Sequence, residues 1–122
     1  MGMKQSDVER LARQLHEARQ ARHELLKLTD AFPDMTLTDA YRIQAAGIGL
    51  REASGERVVG WKMGLTSKAK REQMNLRDPC YGVLTDAMAV PDGGVLPLAE
   101  SIHAKIEPEI AFRLGQIGRA HV

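Results

Sequence analysis

At 122 residues the chain can build one hydrophobic core. Its 43% apolar and 27% charged residues are ordinary for a globular domain. A net charge of +1, with both signs interspersed, and only 4% aromatic residues argue against a nucleic-acid-binding or anionic-membrane surface.

The chain opens Met1-Gly2-Met3-Lys4 without the apolar stretch of a signal peptide, and no run is long enough to span a membrane. Cys80 is the single cysteine, so no internal disulfide or cysteine-based zinc site is expected. A reducing cytoplasm is the expected location. Cys80 follows Pro79 in a turn-like stretch with no histidine close in sequence, which favours an inert thiol over a nucleophile.

From Ser6 to Leu28, apolar residues at Val8, Leu11, Ala12, Leu15, Ala18, Ala21, Leu25 and Leu28 recur in steps of three and four. That spacing predicts an amphipathic helix with Ser6 as N-cap and Asp7 and Glu9 favourably placed near its start. His16 and His23 fall on or near its polar side and read as solvated surface. Thr29 to Pro33 breaks the pattern. A second helix is predicted from Thr36 or Thr38 to about Ala53, with cap chemistry at Thr38-Asp39 and Gly55 as its C-cap. Gly47 and Gly49 each weaken this helix by roughly 1 kcal/mol relative to alanine, unless they permit close packing against a neighbour.

The texture then changes. Arg57 to Met63 reads as a strand, Gly64 to Ser67 as a turn, and Thr66 or Ser67 as the cap of a short helix to about Met74. Tyr81 to Leu84 reads as a short strand, Pro91 to Gly94 as a turn, Val95 to Leu98 as a strand or connection, and Lys105 to Leu114 as a final strand. Helices followed by short strands make an α+β pattern, with too few strands to close a sheet or barrel. The expected organisation is a helical region over 1–55 and an incomplete β-rich region over 56–116.

Two constellations carry chemistry. In Lys105-Ile106-Glu107-Pro108-Glu109-Ile110-Ala111-Phe112, strand alternation puts Glu107 and Glu109 on one face with Lys105, and Ile106, Pro108, Ile110 and Phe112 on a core-like face. Adjacent carboxylates repel unless a positive charge lies between them. A hard divalent cation such as Mg2+ supplies one. A solvent-exposed strand face, its charge partly offset by Lys105, is the other reading. In Gly60-Trp61-Lys62-Met63-Gly64-Leu65-Thr66-Ser67, Lys62 either faces a bound carboxylate or carbonyl or snorkels from a strand end, and Trp61 reads as core.

These segments resemble the 2-oxopent-4-enoate hydratase and 4-oxalocrotonate decarboxylase family of the fumarylacetoacetate hydrolase superfamily. The resemblance rests on Val58 to Lys70, Tyr81 to Met88, Ile106 to Phe112, and the helical stretch with Leu28-Thr29, Leu37 to Tyr41 and Ile43-Gln44, all in the same order. It implies the first strands of a mixed β-barrel or sheet, Glu107 and Glu109 as Mg2+ ligands (Mn2+ as a substitute), and Lys62 as a catalytic and substrate-binding residue. It also implies a 2-oxo acid substrate chelated through its carboxylate and 2-oxo oxygens. The run from Trp61 to Lys70 with Tyr81 to Asp86 is closer to the decarboxylase branch, which converts 4-oxalocrotonate (2-oxo-3-hexenedioate) to 2-oxopent-4-enoate in the meta-cleavage degradation of aromatics. The resemblance further implies an oligomeric full-length form, with a related hydratase or decarboxylase subunit as its partner. His103, just before the Glu-x-Glu segment, either faces this site or lies in a surface loop.

Family members are considerably longer and carry a third acidic ligand downstream of Glu-x-Glu. The last residues, 117–122, match what one frame of a common sequencing-adapter DNA encodes, and the expectation is a non-native tail on a truncated fragment that is inactive by itself and folds poorly alone. A non-catalytic short form that pairs with a full-length subunit or binds a small oxo acid is the second class of function. A nucleic-acid-binding module is a distant third.

Overall fold

The structure is a computed structural model that describes residues 2–115. Helix α1 spans Gln5–Ala21, the single turn α2 Leu28–Ala31 and helix α3 Leu37–Ala53. Strand β1 (Val58–Gly64) and strand β2 (Cys80–Thr85) pair antiparallel, with the short helix α4 (Lys68–Gln73) between them. Short 3-10 turns follow at Asp86–Met88 and Leu98–Glu100. Helices and an antiparallel hairpin agree with the α+β expectation.

The helical spacing of α1 brings Val8, Leu11 and Ala12 onto Ile43 of α3, and Met3, Leu28, Phe32, Met35 and Ala46 close around them. Helix α1 ends at Ala21, short of the predicted Leu28, because Arg22 adopts a left-handed conformation (φ 57°) and its N–H bonds back to the last turn. The chain reverses there, and Leu28 reaches the same core from α2. The N-cap of α1 is Lys4, which makes no side-chain cap bond; Ser6 lies inside the helix.

Helix α3 begins where its capping chemistry is strongest. The Asp39 N–H donates to Thr36 Oγ1 at 3.1 Å, and the Thr36 N–H donates to Asp39 Oδ2 at 3.2 Å. This is a capping box with Asp in the reciprocal position. At the far end Ser54 is the C-cap and Gly55 follows it with φ 99°, where a side chain would be strained. Gly47 and Gly49 serve no close approach among the described residues: a Cβ at either would meet nothing within 4 Å.

Further corrections concern the chain after β2. Of the two readings of Val95 to Leu98 the connection holds and the strand does not: the chain is irregular up to the 3-10 turn that starts at Leu98, and Asp92-Gly93 does turn. Lys105 to Leu114 is not a strand either. Strand pairing needs a partner for the ladder N–H and C=O groups, and none of the described residues supplies one. Its expected core face is open: Ile106 is 97% exposed, and Ile110 and Phe112 are 85% exposed. Trp61, expected in the core, is likewise exposed. The non-native tail expected at 117–122 lies outside the described residues.

Candidate functional site

The hairpin positions the site, and α3 positions the hairpin. In the β1–β2 register Lys62 stands opposite Gly82, and Met63 opposite Tyr81. The edge of β2 is bonded by side chains of α3. The Tyr81 N–H donates to the Tyr41 hydroxyl at 3.2 Å, Gln44 Nε2 donates to the Tyr81 carbonyl at 3.3 Å, and the Val83 N–H donates to Gln44 Oε1 at 3.3 Å. The Tyr41 and Tyr81 rings stack with centroids 4.4 Å apart. These bonds satisfy backbone groups that would otherwise offer an edge for pairing.

The base of the hairpin is closed twice. Asp86 accepts from the Arg57 N–H at 2.9 Å and from Arg57 Nε at 3.2 Å, and its own N–H returns to the Arg57 carbonyl at 2.9 Å. The bond from the Arg57 backbone, then that from its guanidinium, holds the Asp86 carboxyl below its ordinary range. Deeper in, Arg51 donates to Glu56 Oε2 at 2.7 Å and to Thr85 Oγ1 at 3.1 Å, while the Thr85 hydroxyl donates to Glu56 at 2.5 Å. Arg51 and Thr85 are buried. The Thr85 hydroxyl first, then Arg51, lowers the Glu56 pKa against the cost of its burial.

Beyond β1 the chain turns through Leu65 in a left-handed conformation (φ 54°). Arg71 holds that turn, donating from Nη1 to the carbonyls of Leu65 at 3.1 Å and Thr66 at 2.6 Å. Sequence reasoning missed Arg71, Gln44 and Tyr41 as positioning residues. An arginine at the end of a helix following a glycine-bounded turn was the available signal for Arg71; Gln44 and Tyr41 act on a strand far away in sequence and gave none.

Lys62 Nζ lies 3.0 Å from Glu107 Oε2 and 2.5 Å from Glu109 Oε1. The two carboxylates therefore converge on one positive point although their segment is not a strand. The hydrogen bond to Glu109, then that to Glu107, raises the Lys62 pKa. Lys62 in turn lowers the pKa of Glu107, with smaller contributions from Lys70 and Lys105. The Coulombic attractions are screened, since Lys62 is 43% exposed and the glutamates more so. A cavity of about 390 Å³ opens here, lined by Lys62, Lys70, Glu107, Glu109 and the turn from Met63 to Ser67. That volume falls within the range of small-molecule sites.

The other residues singled out from sequence lie apart from this cluster. Cys80 opens β2 opposite Gly64, half-buried. His103 pairs with Glu24. His23 is exposed, whereas His16 is half-buried in the groove between α1 and α3 rather than solvated. Among the described residues no group of three His, Cys, Asp or Glu gathers to hold a metal, and no helix is long and apolar enough to cross a membrane.

No family model matches the chain. It is 48% identical over 102 residues to a 4-oxalocrotonate decarboxylase of Pseudomonas sp. (strain CF600), covering 84% of this chain and 39% of that protein. It is 40% identical over 108 residues to a 2-keto-4-pentenoate hydratase of Paraburkholderia xenovorans (strain LB400), covering 88% of this chain and 40% of the relative. The fold superposes on 4-oxalocrotonate decarboxylase from Pseudomonas putida G7, solved with magnesium and adipate, with a TM-score of 0.80 and 42% identity over 83% of this chain and 38% of that one. The chain thus spans about two fifths of the length of the curated relatives it matches. Hairpin and turn fall within the matched stretch, and over that stretch the chain is similar to both 4-oxalocrotonate decarboxylases and 2-keto-4-pentenoate hydratases.

Proposed function

We propose that this chain is part of a divalent-metal-dependent lyase that decarboxylates 4-oxalocrotonate (2-oxo-3-hexenedioate) to 2-oxopent-4-enoate in aromatic meta-cleavage catabolism. The observation that carries the reading is the convergence of Glu107 and Glu109 on a single cationic point beside a small cavity. Two carboxylate oxygens around one positive charge suit a hard cation that takes one or two carboxylates and completes its shell with water and substrate oxygens. Glu107 and Glu109 would hold Mg2+, or Mn2+ in its place, consistent with the magnesium in the related decarboxylase structure. When bound, such an ion supplies Lewis-acid polarisation of a 2-oxo carbonyl.

The chain's own residues supply the rest. Lys62 offers an ammonium at the cavity wall, where it binds a substrate carboxylate and delivers a proton as negative charge collapses. Loss of carbon dioxide breaks a carbon–carbon bond and leaves its electron pair in the conjugated system, delocalised toward the 2-oxo oxygen. Protonation of that system completes the reaction. Arg71 keeps the Leu65–Thr66 carbonyls in place, so the cavity wall is fixed before substrate arrives.

Hydration of 2-oxopent-4-enoate is the second reading, favoured by the hydratase relative at 40% identity. A full-length oligomer that includes a related hydratase or decarboxylase subunit would cover the exposed Ile106, Ile110 and Phe112. The same reading places the protein in the cytoplasm, where the lone Cys80 thiol stays reduced.

The test is calorimetric titration with Mg2+. Glu107→Gln and Glu109→Gln are each expected to weaken binding at least tenfold; binding that ignores both substitutions overturns the metal assignment. Carbon dioxide release from 4-oxalocrotonate, measured against water addition to 2-oxopent-4-enoate, separates the two branches.

A further inference from the structure

Lys62 is bonded to both carboxylates at once, at 3.0 and 2.5 Å, and so occupies the point on which their oxygens converge. A divalent ion held by the same two oxygens needs that space. Resting on the metal reading above, we propose that Lys62 is the placeholder cation of the Glu107–Glu109 pair: its ammonium neutralises the carboxylates in the metal-free protein and must leave for a divalent ion to bind.

The charge count gives the exchange its direction. Two carboxylates and one ammonium leave a net charge of −1, which still attracts a cation. Replacing the ammonium by a divalent ion brings the pair to neutrality. The ammonium can leave readily because it is 43% exposed and its two partners are exposed as well, so the bonds it gives up are of the weak, solvent-screened kind. Once displaced, it remains tethered to β1 on the wall of the cavity it shares with Lys70, Thr66 and Ser67. Two ammoniums on that wall favour an anion, so metal loading would also prepare the cavity for a carboxylate.

The prediction differs from a plain charge effect, and Lys70 provides the control. Lys70 lines the same cavity and acts on Glu107 through space, but among the described residues it is paired with neither carboxylate. Lys62→Met and Lys70→Met therefore remove the same charge from the same cavity, and only the first vacates the shared position.

The experiment measures Mn2+ affinity of the 122-residue chain and its variants by the electron paramagnetic resonance signal of unbound Mn2+. Lys62→Met is expected to tighten binding at least tenfold and Lys70→Met less than threefold. Lys62→Gln, of nearly the same length, must move with Lys62→Met, which guards against a local folding defect; far-UV circular dichroism checks the fold of each. If Lys62→Met changes affinity no more than Lys70→Met, or weakens it, Lys62 is not a placeholder while the metal assignment survives. If neither wild type nor Lys62→Met binds Mn2+ in a Glu107-dependent manner, the metal assignment and the placeholder fall together.

Discussion

The helical part and the hairpin part of this molecule are stabilised in different ways. In the helical part, Val8, Leu11, Ala12 and Ile43 are buried, and Asp39, itself 2% exposed, gathers bonds from Thr36, the Met3 N–H and Arg42. In the hairpin part the ladder and a few polar clamps do the work, and the apolar side chains Trp61, Ile106, Ile110 and Phe112 face outward. The chemistry-bearing residues Lys62, Glu107 and Glu109 all belong to the exposed part. A buried helical base carrying an exposed hairpin suits the site proposed above, which would admit ions and substrate.

The joint between the two parts is the sharpest place to test that contrast. Arg51 is on α3 and Thr85 ends β2, and Glu56 bonds to both. Arg51→Met leaves Glu56 partly buried without its cation, which should cost about 3 kcal/mol. Chemical denaturation followed by both far-UV circular dichroism and Trp61 fluorescence reads the outcome. An equal shift of both signals means helices and hairpin unfold as one unit. A shift confined to Trp61 means the hairpin unfolds separately.

This joint was invisible in the sequence, whereas much around it was legible. Helix α3 and both strands were readable because their signals are local, with Val58, Val59 and Trp61 between turn residues; the sequence reading puts the cap of α3 at Thr38-Asp39, whereas Asp39 pairs with Thr36, the residue at capping distance before it. Lys62 and the Glu-x-Glu pair were separately conspicuous, but their meeting is a tertiary fact that neither segment encodes alone. The early end of α1 escaped notice because the apolar period continues through Leu25 and Leu28 after the backbone has turned at Arg22. Alternation over Lys105 to Leu114 describes what that segment would do beside a partner strand, and the described residues contain none.

The next effect is acid sensitivity of the helical part. The Asp39 pKa lies near 2 instead of 3.8, chiefly because of the Thr36 hydroxyl and then the Met3 N–H. A carboxyl whose folded pKa is depressed stabilises fully above its unfolded value, and that contribution is lost as pH falls through the folded one. Helical circular dichroism should therefore hold down to about pH 4 and decline toward pH 2. Thr36→Ala should cost about 1 kcal/mol at neutral pH. It also removes the leading cause of the Asp39 shift, so the acid transition should move to higher pH. An unmoved transition would mean that another carboxylate, with Glu56 the first suspect, governs acid unfolding.

A smaller gain is expected within α3. Gly47 and Gly49 lie in mid-helix with open space where a Cβ would stand. Gly47→Ala and Gly49→Ala should each stabilise by about 0.5–1 kcal/mol, read as a rise in Tm. A loss at either position would reveal a neighbour packed against that face.

The smallest thermal effect belongs to the exposed segment, and it decides whether the contrast between the two parts holds in solution. Phe112 is 85% exposed and contributes little burial. Phe112→Ser should change stability by less than about 0.5 kcal/mol. Its consequence should appear in association: exposed apolar side chains favour intermolecular contact, so the variant should delay the onset of light scattering on heating. A drop in Tm of several degrees, with unchanged scattering, would mean that Phe112 is packed in solution. The segment carrying Glu107 and Glu109 would then be held by apolar contact as well as by Lys62, and the hairpin part would resemble the helical part more closely than the exposure of its side chains implies.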